Sequence, residues 1–161
     1  MKRIAIYHSP VGDMQLEYEN GAVTALKTVK ADVQSDGAPD ALAETVFRQL
    51  DEYFAGTRTA FDFPCAPQGT PFQQKVWAAL CEIPYGETRS YKQIAEAVGK
   101  PKACRAVGMA NNRNPIFIVI PCHRVIGANG ALTGYGGGLE MKHALLELEK
   151  APLIWKNEPP V

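Results

Sequence analysis

The sequence predicts an α+β fold: an N-terminal antiparallel β-sheet with one helix, then a mostly helical C-terminal domain with a helix-turn-helix. Three observations predict it. Short runs of β-forming residues separated by turn residues fill the start of the chain. From Thr70 onward, apolar residues recur at helical spacing behind helix-starting residues. Between these helical stretches, Pro121-Cys122-His123-Arg124 sets a thiol and an imidazole side by side at a bend after the apolar run Ile116–Ile120.

Taken in order, Ile4–Tyr7, Met14–Tyr18 and Ala22–Thr28 are strands, turned by Pro10-Val11-Gly12-Asp13 and Glu19-Asn20-Gly21. Ala31–Pro39 is polar and reads as a loop. Asp40 opens a helix to Phe54 that places Leu42, Val46 and Leu50, with Phe47 and Phe54, on one face, and Gly56 closes it. Phe61–Gln68, with two prolines, reads as a linker between an N-terminal domain over 1–66 and a C-terminal domain over 70–150. Thr70 caps a helix with Pro71 at its first position, and Pro84-Tyr85-Gly86 breaks it. Ser90 caps a helix over Tyr91–Val98 that ends at Gly99; Pro101 then opens a second over Lys102–Asn111. Two short helices with a tight glycine-containing turn form a helix-turn-helix, a pattern that also serves as plain scaffolding. Ile116–Ile120 reads as a buried strand, Gly134–Gly138 as a loop around Tyr135, Leu139–Lys150 as a last helix, and 151–161 as an irregular tail.

At 161 residues, 46% hydrophobic and 21% charged, the chain suits one ordinary domain or two small ones sharing a core. No apolar run approaches the ~18 residues of a membrane helix, and the N-terminal apolar stretch is too short for a secretory signal. Cys65, Cys81, Cys104 and Cys122 form no CxxC pair, so they read as reduced thiols of a cytoplasmic protein. Ligand spacing for zinc is missing, and no metal is expected. The zero net charge hides an asymmetry: residues 1–70 carry 6 Lys/Arg against 10 Asp/Glu, and residues 71–161 carry 11 against 7. Between 88 and 124 the only acid among seven basic residues is Glu96. Such a basic face suits a phosphate backbone, although charge alone equally describes a solvated surface.

Cysteine reacts as its thiolate, and a neighbouring imidazole or positive helix end lowers its pKa. Cys122, next to His123 and delivered by an apolar approach, therefore reads as a nucleophile in a partly shielded, electropositive pocket. The alternative is a buried, inert thiol.

Residues 70–150 resemble the O6-alkylguanine-DNA alkyltransferases. The likeness rests on Thr70-Pro71-Phe72-Gln73-Gln74-Lys75-Val76-Trp77, Ile83-Pro84-Tyr85-Gly86, Ser90-Tyr91, Arg105-Ala106-Val107-Gly108, Asn114-Pro115 and Ile120-Pro121-Cys122-His123-Arg124-Val125. The first part is similar to that family's N-terminal domain in size and strand–helix order only.

The resemblance implies that Cys122 attacks the alkyl carbon on guanine O6 and keeps it as a thioether, so that each molecule acts once. O4-alkylthymine is implied as a secondary substrate. His123 is implied as the base, acting through a water, with Glu149 orienting it; Glu147, on another helix face, is a rival. Tyr91 would donate a hydrogen bond to the guanine ring nitrogen, or else be a core aromatic. Asn114 would cross-link the turns around Cys122, or be a simple turn asparagine. Arg105 stands at the family's finger position, filling the gap left by a flipped base; its rival reading is a solvent-facing helix arginine. Ala103, Ala106 and Gly108 are small enough for a helix pressed into the minor groove, and Ser90 joins them on the DNA side. Val125, Tyr135, Gly136 and Phe117 would form the pocket wall. Gly136 replaces a serine of some members, and Phe117 a proline, which narrows the pocket. The implied partner is double-stranded DNA carrying O6-alkylguanine, bound by a monomer, with cooperative binding left open and no cofactor or membrane involved.

Three rivals remain at this point. A lesion-binding relative would flag alkylguanine without reacting, and such proteins lack the cysteine. A helix-turn-helix regulator would need a sensor or dimer interface, and a thiol hydrolase would turn over acyl substrates.

Overall fold

The computed structural model describes residues 2–29, 34–127, 135 and 138–149. Gly136, 128–134, Lys150 and 151–161, which the sequence reads as loop, helix end and tail, lie outside the described residues.

The first compact unit comprises Met1–Gln68 with Pro115–Phe117. Strands β1 (Arg3–Ser9), β2 (Gly12–Glu19) and β3 (Ala22–Thr28) form an antiparallel sheet in that order. Asn20 and Gly21 both take positive φ, 53° and 77°, which is what a two-residue hairpin turn matched to strand twist demands. The register pairs Ala5 with Leu16 and Tyr7 with Met14, and all four side chains are buried. Helix α1 (Ala41–Phe54) starts where the Asp40 carboxylate accepts from Ala43 N at 3.1 Å. Its buried stripe is Ala43, Val46, Leu50 and Tyr53, with Leu42, Phe47 and Phe54 only half-buried. The expected face is thus rotated, because Tyr53 rather than Leu42 fills the centre. The Tyr7 ring packs against Phe47 at 5.3 Å between centroids, and its hydroxyl donates to Asp51 at 2.7 Å.

Two segments read differently in the structure. The expected linker is tied along β3: Val23 N donates to Pro64 O at 2.9 Å, and Ala66 N donates to Val23 O at 2.7 Å. The expected strand at 116–120 makes a single bridge, with Leu26 N donating to Pro115 O and Phe117 N to Leu26 O, both at 2.8 Å. Both follow from one cause, since the outer edge of β3 presents backbone groups that need partners. Beyond Phe117 the chain turns instead of extending, and Ile118 holds φ at 73°, a conformation that β-branched residues rarely adopt.

The second unit comprises Gly69–Asn114 and the chain from Ile118 on. Helices α2 (Pro71–Cys81) and α3 (Tyr91–Ala97) each open with a full capping box, Thr70 with Gln73 and Ser90 with Gln93. Helix α4 spans Cys104–Asn112 and α5 spans Leu139–Leu148. Helices α3 and α4 pack together as the helix-turn-helix, and Trp77 Nε1 donates to Ala110 O at 2.9 Å, fixing α4 to α2. Helix α4 begins later than expected. Pro101 and Lys102 sit in a turn, and Ala103 caps the helix without a side-chain hydrogen bond. Arg105 therefore stands in the first turn of α4. Two-residue strands β4 (Arg89–Ser90) and β5 (Val125–Ile126) pair in parallel.

Candidate active site

Cys122 opens a single 3₁₀ turn, Cys122–Arg124, that leads straight into β5. Two asparagines from the end of the α4 segment hold this bend. Asn114 Nδ2 donates to Ile120 O at 2.7 Å, and Asn111 Nδ2 donates to Cys122 O at 3.3 Å. Both are buried, so these bonds form away from competing water.

The next two residues of the turn reach one carboxylate. His123 Nε2 lies 2.7 Å from Glu149 Oε2, while Arg124 donates from Nε to Oε1 at 2.7 Å and from Nη2 to Oε2 at 3.0 Å. Arg124 Nη1 also donates to Ile83 O at 2.8 Å, and its guanidinium lies over the Tyr85 ring at 5.7 Å. Burial alone would raise the Glu149 pKa, but the hydrogen bonds from His123 and Arg124 outweigh it and hold it at about 2. Burial lowers the His123 pKa, partly opposed by Glu149, so the imidazole is neutral at neutral pH. A neutral ring facing an ionised carboxylate carries its proton on Nε2, which leaves Nδ1 with a free lone pair. Nδ1 is buried and has no hydrogen-bond partner among the described residues. Gly86 makes room for this cluster: its φ is 83°, and an added Cβ would approach Glu149 O at 3.3 Å. Glu147, the rival acid, pairs instead with His143 at 3.4 Å on a half-exposed face.

The thiol itself departs from expectation. Cys122 is fully buried, not partly shielded, and burial pushes its pKa up to about 11. Asn114, Lys142 and Tyr135 pull in the other direction. The cation that favours the thiolate is therefore Lys142, not His123. Lys142 is completely buried within α5, its pKa lowered to about 8 by that burial with Cys122 opposing. The sequence gives no sign of this, because a lysine in a C-terminal helix ordinarily faces solvent.

Of the other predicted residues, Val125 and Tyr135 are buried in the same unit as Cys122, and Gly136 lies outside the described residues. Phe117 is buried and belongs to the first unit. Tyr91 is half-buried at the start of α3, with its ring beside Gly108; a Cβ there would meet it at 3.8 Å. Gly108 is thus small on the side that faces Tyr91. Ser90 Oγ accepts from Gln93 N at 3.1 Å as a helix cap. Arg105 and Ala106 are exposed on α4, while Ala103 is half-buried before it.

A wholly buried thiol stands next in sequence to a buried histidine–glutamate pair, in a unit that also carries a helix-turn-helix, a set of groups able to supply a cysteine nucleophile and a base. Residues 71–151 match the 6-O-methylguanine DNA methyltransferase DNA binding domain, and residues 2–67 match the ribonuclease-like domain of the same family. The chain is 51% identical over 150 residues to the methylated-DNA–protein-cysteine methyltransferase of Methanosarcina barkeri, covering 90% of this chain and 95% of the relative. It is similar to the crystal structure of Mycobacterium tuberculosis O6-methylguanine methyltransferase at TM-score 0.84, with 49% identity, covering 94% of this chain and 96% of that one. The Mycobacterium tuberculosis structure solved in complex with DNA aligns at TM-score 0.81 with 50% identity, over 94% of each chain. The chain belongs to the 6-O-methylguanine DNA methyltransferase family.

Proposed function

We propose that this protein repairs DNA by moving the alkyl group of O6-alkylguanine, chiefly methyl, onto Cys122, once per molecule. The observation that carries the reading is the buried chain from Glu149 to His123 beside a wholly buried thiol. At rest the thiol keeps its proton. In the reaction, His123 Nδ1 accepts that proton through a bridging water. The imidazolium then formed is stabilised by Glu149, which is already ionised. The Cys122 sulfur forms a bond to the alkyl carbon as the carbon–O6 bond breaks, and the electron pair leaves with guanine. Tyr91 donates a hydrogen bond to the departing ring and spreads that charge. Lys142 favours the sulfur as it becomes negative. A thioether offers no hydrolytic exit, so the protein is consumed.

A base inside a duplex cannot reach a buried sulfur, so the lesion must be extruded. Arg105, exposed at the start of α4, is placed to stack in the gap, and the exposed Ala106 beside it lets the helix approach closely. The 50% identical relative solved with DNA supports the choice of partner.

The test is nucleoside analysis of a duplex carrying one O6-methylguanine after incubation with the protein. Conversion of the lesion to guanine, limited to one per protein molecule, is expected. Selective binding with the lesion left intact would make the protein a lesion sensor instead.

A further inference from the structure

Asn111 lies near the end of α4, 1% exposed, with its Nδ2 donating to the carbonyl of Cys122 at 3.3 Å. Its Oδ1 is equally buried and has no hydrogen-bond partner among the described residues. A buried acceptor left unmet is destabilising, so an amide kept here for packing alone would be poorly chosen. Leucine has a similar shape and would avoid that penalty. What the amide does and leucine cannot do is hold the main chain of the nucleophile.

The same helix presents Arg105 to solvent in its first turn, and Trp77 holds the Ala110 carbonyl one residue before Asn111. Helix α4 is therefore fixed at one end and exposed at the other, with its buried side bonded to Cys122. Fixing the Cys122 carbonyl restricts rotation of the residue that carries Sγ, and so restricts the direction of attack. Displacement at carbon requires the sulfur, the carbon and the leaving oxygen to be in line, and a misplacement of about 1 Å can cost roughly a hundredfold in rate.

We propose that Asn111 is a positioning residue for alkyl transfer, linking the helix seated on DNA to the main chain of Cys122 so that the thiol is held in line with the alkyl carbon. The proposal rests on the transfer reading above.

The test compares wild type with Asn111→Leu and Asn111→Ala in single-turnover transfer from a duplex carrying O6-methylguanine, over a range of duplex concentrations, alongside thermal melting. The limiting rate is expected to fall roughly tenfold to a hundredfold. The half-saturating duplex concentration should stay unchanged, and the melting temperature of Asn111→Leu should hold or rise. An undiminished limiting rate in both variants overturns the positioning role. So does a rate loss matched by parallel losses in duplex binding and melting temperature, which a packing role predicts. Wild type that binds the duplex yet accepts no methyl overturns the transfer reading itself, and this proposal with it.

Discussion

Glu149 Oε2 lies 2.7 Å from His123 Nε2, and neither side chain is open to solvent. The same carboxylate is gripped by Arg124 from the other side, so one acid is held between an imidazole and a guanidinium within a single buried cluster. This arrangement sets the imidazole tautomer, and with it the atom that can take a proton from the thiol.

Replacing Glu149 therefore has two effects. Glu149→Gln leaves the buried Arg124 without its counter-charge, and a broken buried pair costs about 3–5 kcal/mol. It also frees the histidine tautomer, so alkyl transfer should slow. Glu147→Gln alters a half-exposed pair and should change stability by less than about 1 kcal/mol. Denaturant unfolding and single-turnover transfer read the two effects. Equal rates in the two variants would remove Glu149 from the relay.

The pH dependence follows from the same cluster. Burial holds the His123 pKa below that of an ordinary histidine, partly opposed by Glu149. Transfer should therefore fall as acid protonates the imidazole, with its midpoint on the acid side of an ordinary histidine's, which single-turnover rates across pH read. For stability, the Glu149 pKa is about 2 when folded against 4.5 unfolded, so the unfolded chain binds the proton first. The stabilisation from Glu149 is complete above about pH 4.5 and is lost as the pH falls from there towards 2. The depressed His123 acts in the same direction below pH 6.5. Melting temperatures across this range should fall with acidity, and Glu149→Gln should flatten the lower part of the curve.

Lys142→Met separates reactivity from stability. The variant removes a completely buried cation that favours the Cys122 thiolate, so the thiol pKa should rise further. Transfer should slow, because the sulfur gives up its proton less readily. Stability should change separately from reactivity, by the desolvation relieved set against the interactions that the buried ammonium makes. The pH profile of Cys122 alkylation by chloroacetamide reads the first effect and thermal melting the second. A profile that does not move would show that Lys142 leaves the sulfur unaffected.

Arg105→Ala and Tyr91→Phe should fail in different ways. Arg105 is exposed, so its loss should weaken duplex binding while changing stability within about 0.5 kcal/mol. Tyr91→Phe keeps the ring beside Gly108 and removes the hydroxyl, so transfer should slow while duplex binding survives. Titration of each variant with a fluorescent duplex, paired with single-turnover rates, separates the two. Loss of binding in Tyr91→Phe would give the hydroxyl a structural role.

Elements set by local chemistry were legible in the sequence. Thr70 with Gln73, Ser90 with Gln93, and Asn20-Gly21 each contain the side chains or backbone freedom that their cap or turn uses. Sequence pattern and structure part where distant partners decide. The run 116–120 has the composition of a strand, but only Ile116 finds a strand edge, and Ile118 turns the chain away. Pro101 offers a helix start, yet Pro101 and Lys102 form a separate turn, closed by Ala103 N donating to Lys100 O at 2.8 Å, before α4 begins. In the site, Cys122, His123 and Glu149 could be placed from the motif and the resemblance. Lys142 and Asn111 could not, since nothing local distinguishes a buried lysine from an exposed one, or an amide that reaches a carbonyl from one in solvent.

The central claim is that Cys122 keeps the alkyl group. It is tested most directly by intact mass, with peptide mapping, of the protein mixed with a duplex carrying one O6-methylguanine, and of Cys122→Ala beside it. A gain of one methyl per molecule is expected, located on Cys122 and absent from the variant, with no further gain when more duplex is added. An unchanged mass, or a methyl on any other residue, would contradict it.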